Sequence, residues 1–204
     1  MRSPAIQGGK YVTKKAKISD IKLKKGMTTQ KKIDFALRKP EIYKPNKILI
    51  RKTADHIVAA YDNAGFYYDS LAYGIQLNEM TRESVLYILG LLNSRLLNYV
   101  HSNYSLNKKK TFAKVLAINI KKLPIRTIDF SNPKDKAKHD KMVKLVERII
   151  ELHERLARAR TENEKTMLQR QIDAIDGQID KLVYELYELT PEEIEIIEKF
   201  NEGK

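Results

Sequence analysis

The sequence predicts an α+β fold, in which a small mixed or antiparallel sheet is followed by a long antiparallel coiled-coil helical hairpin. In the first part of the chain, apolar residues form short runs that alternate in part with polar ones, which is typical of strands. After residue 131 the apolar residues recur at steps of three and four, the spacing of an amphipathic helix. We therefore predict one domain over residues 1–130 and a helical domain over residues 131–204.

Four short segments of the first domain are candidate strands, at residues 47–52, 56–61, 66–68 and 72–77. They are rich in β-branched, aliphatic and aromatic residues, and turn residues such as Pro45 and Gly65 separate them. Short strands joined by tight turns favour an antiparallel meander.

A helix is predicted to follow the strands. Thr81 is a candidate N-cap, and apolar residues from Val85 to Tyr99 recur mainly at helical spacing. Gly90 lies inside this helix, and because an interior glycine costs about 1 kcal/mol relative to alanine, we expect close packing there. Beyond the helix we expect a polar, basic loop over residues 105–112, and then a partly alternating segment that ends near residue 125.

Two long apolar stripes predict the helical hairpin. They run over residues 142–159 and 168–189, and their regular steps of three and four are typical of coiled-coil seams. Thr161 and Glu164 have capping-box spacing between the stripes, so we favour two helices, each about 40 Å long. One continuous helix remains the alternative, because the junction contains neither glycine nor proline. A second capping box, with Pro191 at the first helical position, predicts a short last helix.

The positive charge belongs to the first domain. The chain carries a formal net charge of +13, and residues 1–128 hold 25 lysines and arginines against 8 acidic residues. Residues 129–204 hold 14 against 18, and 13 of the 16 phenylalanines and tyrosines precede residue 131. A positive surplus confined to one half favours a polyanionic partner such as nucleic acid over a general effect on solubility.

Several classes of catalytic and metal site need residues that this sequence lacks. The chain has no cysteine and only four histidines, whose spacing suggests no shared metal. It has no glycine-rich phosphate loop, and Asn132-Pro133 lacks the second proline and the aromatic residue expected in a DNA amino-methyltransferase. The triplet Asp20-Ile21-Lys22 lacks the upstream acid that a metal-dependent nuclease requires. We therefore expect no catalytic residue, metal or cofactor in this chain.

The sequence also bears on localisation. No run of 18 apolar residues is present, and lysines rather than an apolar core follow the first residues. We therefore expect a cytoplasmic protein.

Four segments, in order, resemble parts of one known group of proteins. They are KILIRKTADHIVAAYDNAGFYYD at 47–69, YILGLLNSRLLNY at 87–99, IKKLPI at 120–125 and LVYELYELTPEEIE at 182–195. The first three resemble the TaqI-like C-terminal specificity domain, and the fourth is similar to the ending of many type IIG restriction-modification proteins. The resemblance covers roughly residues 40–195 and extends to type I specificity subunits.

The resemblance implies a target-recognition domain that binds double-stranded DNA in a restriction-modification system, with adenine methylation or cleavage carried out elsewhere. The chain departs from methyltransferases and type IIG enzymes because it lacks the catalytic domain. It departs from type I subunits because it has a single recognition domain. A fragment, a separately encoded specificity chain and a half-length subunit all remain open. The helical hairpin is the expected docking surface for a methyltransferase or endonuclease subunit, or for a second copy of the chain in a homodimer.

The candidate DNA-binding residues are basic or amide side chains. Lysines of the N-terminal segment and of the 105–112 loop would contact phosphates, and side chains beside the first strand would reach base edges in the major groove. The set comprises Lys24, Lys25, Lys31, Lys32, Arg51, Lys52, Asn107, Lys108, Lys109, Lys110 and Lys114. The alternatives are a solvated strand end and a merely solubilising loop.

For the whole chain, the main alternative belongs to another functional class, and an enzyme of unrecognised type is a third, weaker option. The main alternative is a structural or adaptor protein whose coiled coil recruits partners and whose basic half binds nucleic acid nonspecifically. Enrichment of a sequence motif from random duplexes distinguishes the first two hypotheses, because an adaptor would enrich none.

Overall fold

The structure is a computed structural model, and it describes residues 40–104 and 114–202. These residues form a three-stranded antiparallel sheet and six α-helices, so the predicted α+β class is confirmed. The strands are β1 (Lys47–Arg51), β2 (Ala59–Asp62) and β3 (Ala72–Ile75), and a 3₁₀ turn precedes them at Pro40–Tyr43. The helices are α1 (Val85–Asn93), α2 (Arg95–Tyr104), α3 (Ala117–Ile120), α4 (Pro133–Arg158), α5 (Glu162–Leu186) and α6 (Pro191–Glu202).

The strand order is β2-β1-β3, so the predicted meander is wrong. Strand β1 lies in the centre, where Ile48 is opposite Tyr61 on β2 and Ile75 on β3. The three consecutive aliphatic residues of β1 account for its central position, because a continuous apolar run is typical of a strand that is buried on both faces.

A buried ion pair fixes the turn that follows β2. Lys47 is fully buried, and its ammonium pairs with Asp62 and donates to two backbone carbonyls of the preceding turn, both at 3.0 Å. The Asp62 carboxylate also accepts three consecutive N–H groups, those of residues 64–66, each at 2.9 Å. The chain leaves this turn without entering a strand ladder, and the strand predicted at residues 66–68 is not formed.

The single helix predicted from Val85 to Tyr99 consists of two helices, α1 and α2, which meet at Ser94. The backbone of Ser94 is extended, and its hydroxyl donates to the Leu91 carbonyl at 2.7 Å and accepts the Leu97 N–H at 3.3 Å. A serine that bonds to nearby backbone groups in this way competes with the helical pattern, and the apolar periodicity gives no sign of it.

Helix α1 begins after Ser84, whose hydroxyl accepts the Leu86 N–H at 3.2 Å. The predicted cap, Thr81, lies one turn earlier and donates instead to the side chain of Asn78 at 2.9 Å. Both residues are good caps by type, so sequence alone placed the start of the helix three residues too early.

Residues 115–125 contain the one-turn helix α3 in place of the alternating segment predicted. Val115 donates to the carbonyl of Lys52 at 2.8 Å, and the chain then turns. The Leu116 carbonyl accepts the N–H groups of Asn119 and Ile120 at 2.9 and 3.1 Å, which closes the helical turn.

Helices α4 and α5 form the predicted hairpin. Three residues connect them, and Thr161 caps α5 by accepting the Glu164 N–H at 3.2 Å, so one continuous helix is excluded. Thr190 and Glu193 exchange hydrogen bonds at the start of α6, where Thr190 N–H donates to the carboxylate at 2.8 Å. No described helix is long and apolar enough to cross a membrane.

One core joins the sheet to the helical hairpin. Ile48 of β1, Leu91 of α1, Met142 of α4 and Val183 of α5 lie in the same buried cluster. The predicted domain boundary near residue 130 stays a prediction, and any test of it has to take this shared core into account.

Helices α1 and α4 pack closely at Gly90, as predicted. A Cβ atom added at this position would lie 2.6 Å from the sulfur of Met142 and 3.0 Å from a methyl group of Val146. The absence of a side chain therefore lets the two helices approach each other.

Candidate nucleic-acid interface

The positive charge of the first half is concentrated in two stretches of sequence. Residues 40–104 contain six basic and six acidic residues, whereas residues 105–128 contain seven basic residues and no acid. Residues 1–39 hold the remaining surplus, with twelve basic residues and two acidic ones. Residues 114–128 are the described part of the acid-free stretch, so their position decides where the structure presents this charge.

Residues 117–127 border a groove whose other walls are β3 and residues from Gln76 to the end of α1. The groove has a volume of about 750 Å³, and Ile75, Ile88 and Leu92 contribute to its apolar lining. Its polar lining residues are Gln76, Thr81, Glu83, Lys121 and Thr127.

The structure brings two of the predicted DNA-binding residues together, although neither lines the groove. Lys52 follows β1, and its ammonium lies 4.3 Å from the centre of the Tyr73 ring, which lines the groove. Because Val115 donates to the carbonyl of Lys52, the exposed residue Lys114 lies beside Lys52 although the two are far apart in sequence.

Arg51 does not join this pair. It is exposed at the end of β1, in register with Ala72 of β3. Successive side chains of a strand point to opposite faces, so Arg51 is directed away from the face that Lys52 shares with Tyr73. Arg51 and Lys52 therefore belong to different surfaces of the sheet.

The other predicted site residues lie outside the part of the chain that the structure describes. They are Lys24, Lys25, Lys31, Lys32, Asn107, Lys108, Lys109 and Lys110. The last four belong to the acid-free stretch that continues into Lys114. They stay predictions.

Two lysines beside the groove were not predicted as site residues. Lys121 and Lys122 follow α3, both are exposed, and neither forms an ion pair with a residue that the structure describes. Arg126, in contrast, pairs with Asp135 at 3.3 Å. The signal that could have found the two lysines is the absence of acids over residues 105–128, which an average over the whole half conceals.

Tyrosine hydroxyls hold the segment that carries these lysines. The hydroxyl of Tyr73 on β3 accepts the Ala117 N–H at 3.2 Å, and that of Tyr87 on α1 donates to the Arg126 carbonyl at 2.8 Å. Burial raises the pKa of Tyr87, so this hydroxyl keeps its proton at neutral pH. An irregular segment fixed by a rigid scaffold is a common carrier of binding residues.

Glu83 is the acidic residue among the described lining residues of the groove. Its carboxylate accepts the Ile128 N–H at 3.0 Å, so it is engaged in holding the end of the lysine-bearing segment. Within residues 40–104 and 114–202, histidine, aspartate and glutamate side chains form no cluster of three that could hold a metal ion.

Comparison with known proteins identifies the family. A family model described as the TaqI-like C-terminal specificity domain matches residues 7–125, and no curated protein matches the chain. The match covers more than half of the 204 residues and includes the three strands, α1, α2, α3 and most of the groove segment. It confirms the resemblance seen in the first three sequence segments, whereas the hairpin and α6 lie beyond it. The chain belongs to the TaqI-like C-terminal specificity domain family.

Proposed function

We propose that this chain recognises a specific sequence in double-stranded DNA and is the specificity part of a restriction-modification system. The observation that carries the proposal is the acid-free stretch of residues 105–128. Its described part exposes Lys121 and Lys122 beside the groove and Lys114 beside Lys52. Membership of a specificity-domain family supports the same function.

Recognition would use two kinds of contact, one with the phosphates and one with the base edges. Lysines at the groove, together with those of residues 1–39 and 105–110, would contact phosphates, which set position and orientation without reading sequence. Base edges would be read by side chains with both donors and acceptors, and Gln76, Thr81 and Thr127 at the groove are such side chains.

Catalysis would belong to a partner. Methylation of adenine or cleavage would be carried out by another domain or chain, which docks on the helical hairpin, and a second copy of the chain is a further expected partner. Pure protein incubated with labelled S-adenosylmethionine and mixed DNA should therefore transfer no methyl groups. Repeated transfer that a point mutation in this chain abolishes would contradict the proposal.

Selection from a randomised duplex library with the full chain tests the recognition itself. We expect enrichment of a short motif, and an affinity whose logarithm falls linearly with the logarithm of salt concentration, at about 0.9 per phosphate contact. Replacing Lys114, Lys121 and Lys122 by alanine should lower this slope by up to about 3. If no motif is enriched, the adaptor alternative with nonspecific nucleic-acid binding is favoured.

A matched variant controls for the loss of net charge. Lys136, Lys165 and Lys199 lie on α4, α5 and α6, and each is paired with an acid of its own helix. Replacing these three by alanine removes the same total charge and should leave the salt slope unchanged. Equal effects of the two triple variants would mean that binding depends only on overall charge.

A further inference from the structure

The side chain of Tyr187 connects the helical hairpin to the lysine-bearing segment. Tyr187 directly follows the last residue of α5 and lies outside the family-matched residues 7–125. Its hydroxyl donates to the carbonyl of Pro124 at 2.5 Å and accepts the N–H of Arg126 at 3.1 Å. One hydroxyl therefore satisfies two backbone groups of a segment that is distant in sequence.

These two backbone groups lie just beyond the exposed lysines. Lys121 and Lys122 stand between Ala117, which Tyr73 holds on one side, and the Pro124–Arg126 backbone, which Tyr187 holds on the other. The lysines themselves lie in a turn, where backbone bonds reach only three or four residues back. The direction in which the turn presents them is therefore set by the anchors on its two sides.

Burial supports the role of Tyr187 as an anchor. Its side chain is half-buried, and burial raises its pKa, so the hydroxyl remains protonated and can donate at neutral pH. Loss of the hydroxyl would leave a carbonyl and an N–H group without their partner. The Pro124 carbonyl is exposed and can bind water instead, whereas the partly buried Arg126 N–H has to find another partner, and the segment would shift to reach one.

We propose that Tyr187 is a positioning residue for DNA recognition, because its hydroxyl fixes the backbone that presents Lys121 and Lys122 to the phosphates. This inference rests on the proposed function. It means that the helical half, although its net charge is negative, contributes to DNA affinity through the shape of the groove segment.

The chain offers a matched control one helical turn earlier. The hydroxyl of Tyr184, also at the end of α5, donates to the carboxylate of Glu198 on α6 at 2.7 Å. Tyr187→Phe and Tyr184→Phe each remove one hydroxyl, keep the aromatic ring and leave the net charge unchanged. Only the first of them removes hydrogen bonds to the lysine-bearing segment.

The test is duplex binding by the full-length variants, measured by fluorescence anisotropy over a range of salt concentrations. The probe is a 30-base-pair duplex that carries the motif enriched with the parent protein. We expect Tyr187→Phe to weaken binding on the order of fivefold, the equivalent of about one hydrogen bond, and to lower the salt slope by up to about 2. Tyr184→Phe should leave affinity and slope within experimental error of the parent.

A double-mutant cycle separates positioning from a general loss of stability. In a background of Lys121→Ala and Lys122→Ala, Tyr187→Phe should have no further effect on binding, because the side chains that it positions are absent. Equal DNA binding by the two phenylalanine variants would overturn the inference, as would an undiminished effect of Tyr187→Phe in the double-alanine background. Failure of the parent protein to bind any duplex would instead overturn the proposed function and the inference together, so the two failures are distinguishable.

Discussion

Arg95 and Asp180 join helix α2 to helix α5 through two contacts. The backbone N–H of Arg95 donates to Asp180 Oδ1 at 2.9 Å, and the guanidinium Nε lies 3.2 Å from Oδ2. Glu198 of α6 pairs with the same guanidinium. Asp180 thus places a carboxylate at the first residue of α2, where the helix dipole favours negative charge. The contact links the family-matched part of the chain to the hairpin.

This contact predicts a specific dependence of stability on pH. Burial raises the pKa of Asp180 to about 6, and the hydrogen bond from Arg95 offsets this only in part. The folded protein then holds the proton more tightly than the unfolded chain, whose aspartates titrate near 3.9. The contribution of Asp180 to the free energy of unfolding therefore falls as the pH rises from about 4 to about 6. Asp180→Asn should remove this contribution.

Urea denaturation at several pH values between 4 and 7 measures the effect. Between pH 4 and about 6, the free energy of unfolding of the parent should fall by up to about 1.4 kcal/mol per pH unit more than that of Asp180→Asn, and the two should run parallel above this. Asp173→Asn is the control, because Asp173 is exposed on the same helix and accepts a hydrogen bond from Gln169. An unchanged pH dependence in Asp180→Asn would show that the buried carboxyl is not the source.

The two helical glycines should respond in opposite ways to alanine. At Gly90 the added Cβ would meet Met142 and Val146 at 2.6 and 3.0 Å, and overpacking of this kind costs about 1–3 kcal/mol. At Gly177 nothing lies within 4 Å of the added atom, so the better helix propensity of alanine should raise stability by up to about 1 kcal/mol. Urea denaturation of the two variants checks the signs. If both are stabilised, the close approach of α1 and α4 is wrong.

Replacing Asp62 should destabilise the protein more than replacing Lys47, although the two residues form one buried ion pair. Asp62→Ala leaves a buried ammonium without its counter-ion and three N–H groups without their acceptor, so we expect a loss of about 3–5 kcal/mol. Lys47→Met leaves the carboxylate with its three N–H donors and should cost less. Thermal unfolding of both variants gives the order. A larger loss of stability in Lys47→Met would mean that the hydrogen bonds from the ammonium to the Tyr43 and Lys44 carbonyls contribute more than the carboxylate does.

The sequence predicts the elements that depend on caps and on apolar spacing within a single segment. The capping box at Thr161 and the regular apolar steps on either side of it were enough to predict the hairpin. The break between α1 and α2 is not seen in the apolar periodicity, which continues through Ser94. The acceptor of the Arg95 N–H at the start of α2 is Asp180, which lies far along the chain and meets it only in the folded protein. The sheet order was missed for a similar reason, since the pairing of Ile48 with Ile75 leaves no trace in either segment alone.

For the candidate interface too, the sequence predicts the general property but not the positions of the individual side chains. Composition predicted that the first half binds a polyanion, and the family resemblance named DNA. Lys52 lies beside Lys114 because the Val115 N–H donates to the Lys52 carbonyl. Arg51 points to the opposite face of the sheet, because successive side chains of a strand alternate. These relationships are non-local, so they could not be found from charge counts.

The last prediction tests the domain boundary near residue 130 with two variants of α5. Ile172 lies in a small cluster with Leu152 and Leu168 towards the hairpin loop, whereas Val183 lies in the core that the hairpin shares with the sheet. A buried charge without a partner is costly in either place. We expect Ile172→Asp to unfold the outer part of the hairpin, seen as a partial loss of helical circular dichroism, while DNA binding falls only modestly.

Val183→Asp should reduce DNA binding strongly, because the core under the sheet and α1 loses a buried aliphatic group. If Val183→Asp loses helix but keeps DNA binding, the sheet domain folds independently of the hairpin, and the boundary near residue 130 separates two stable units.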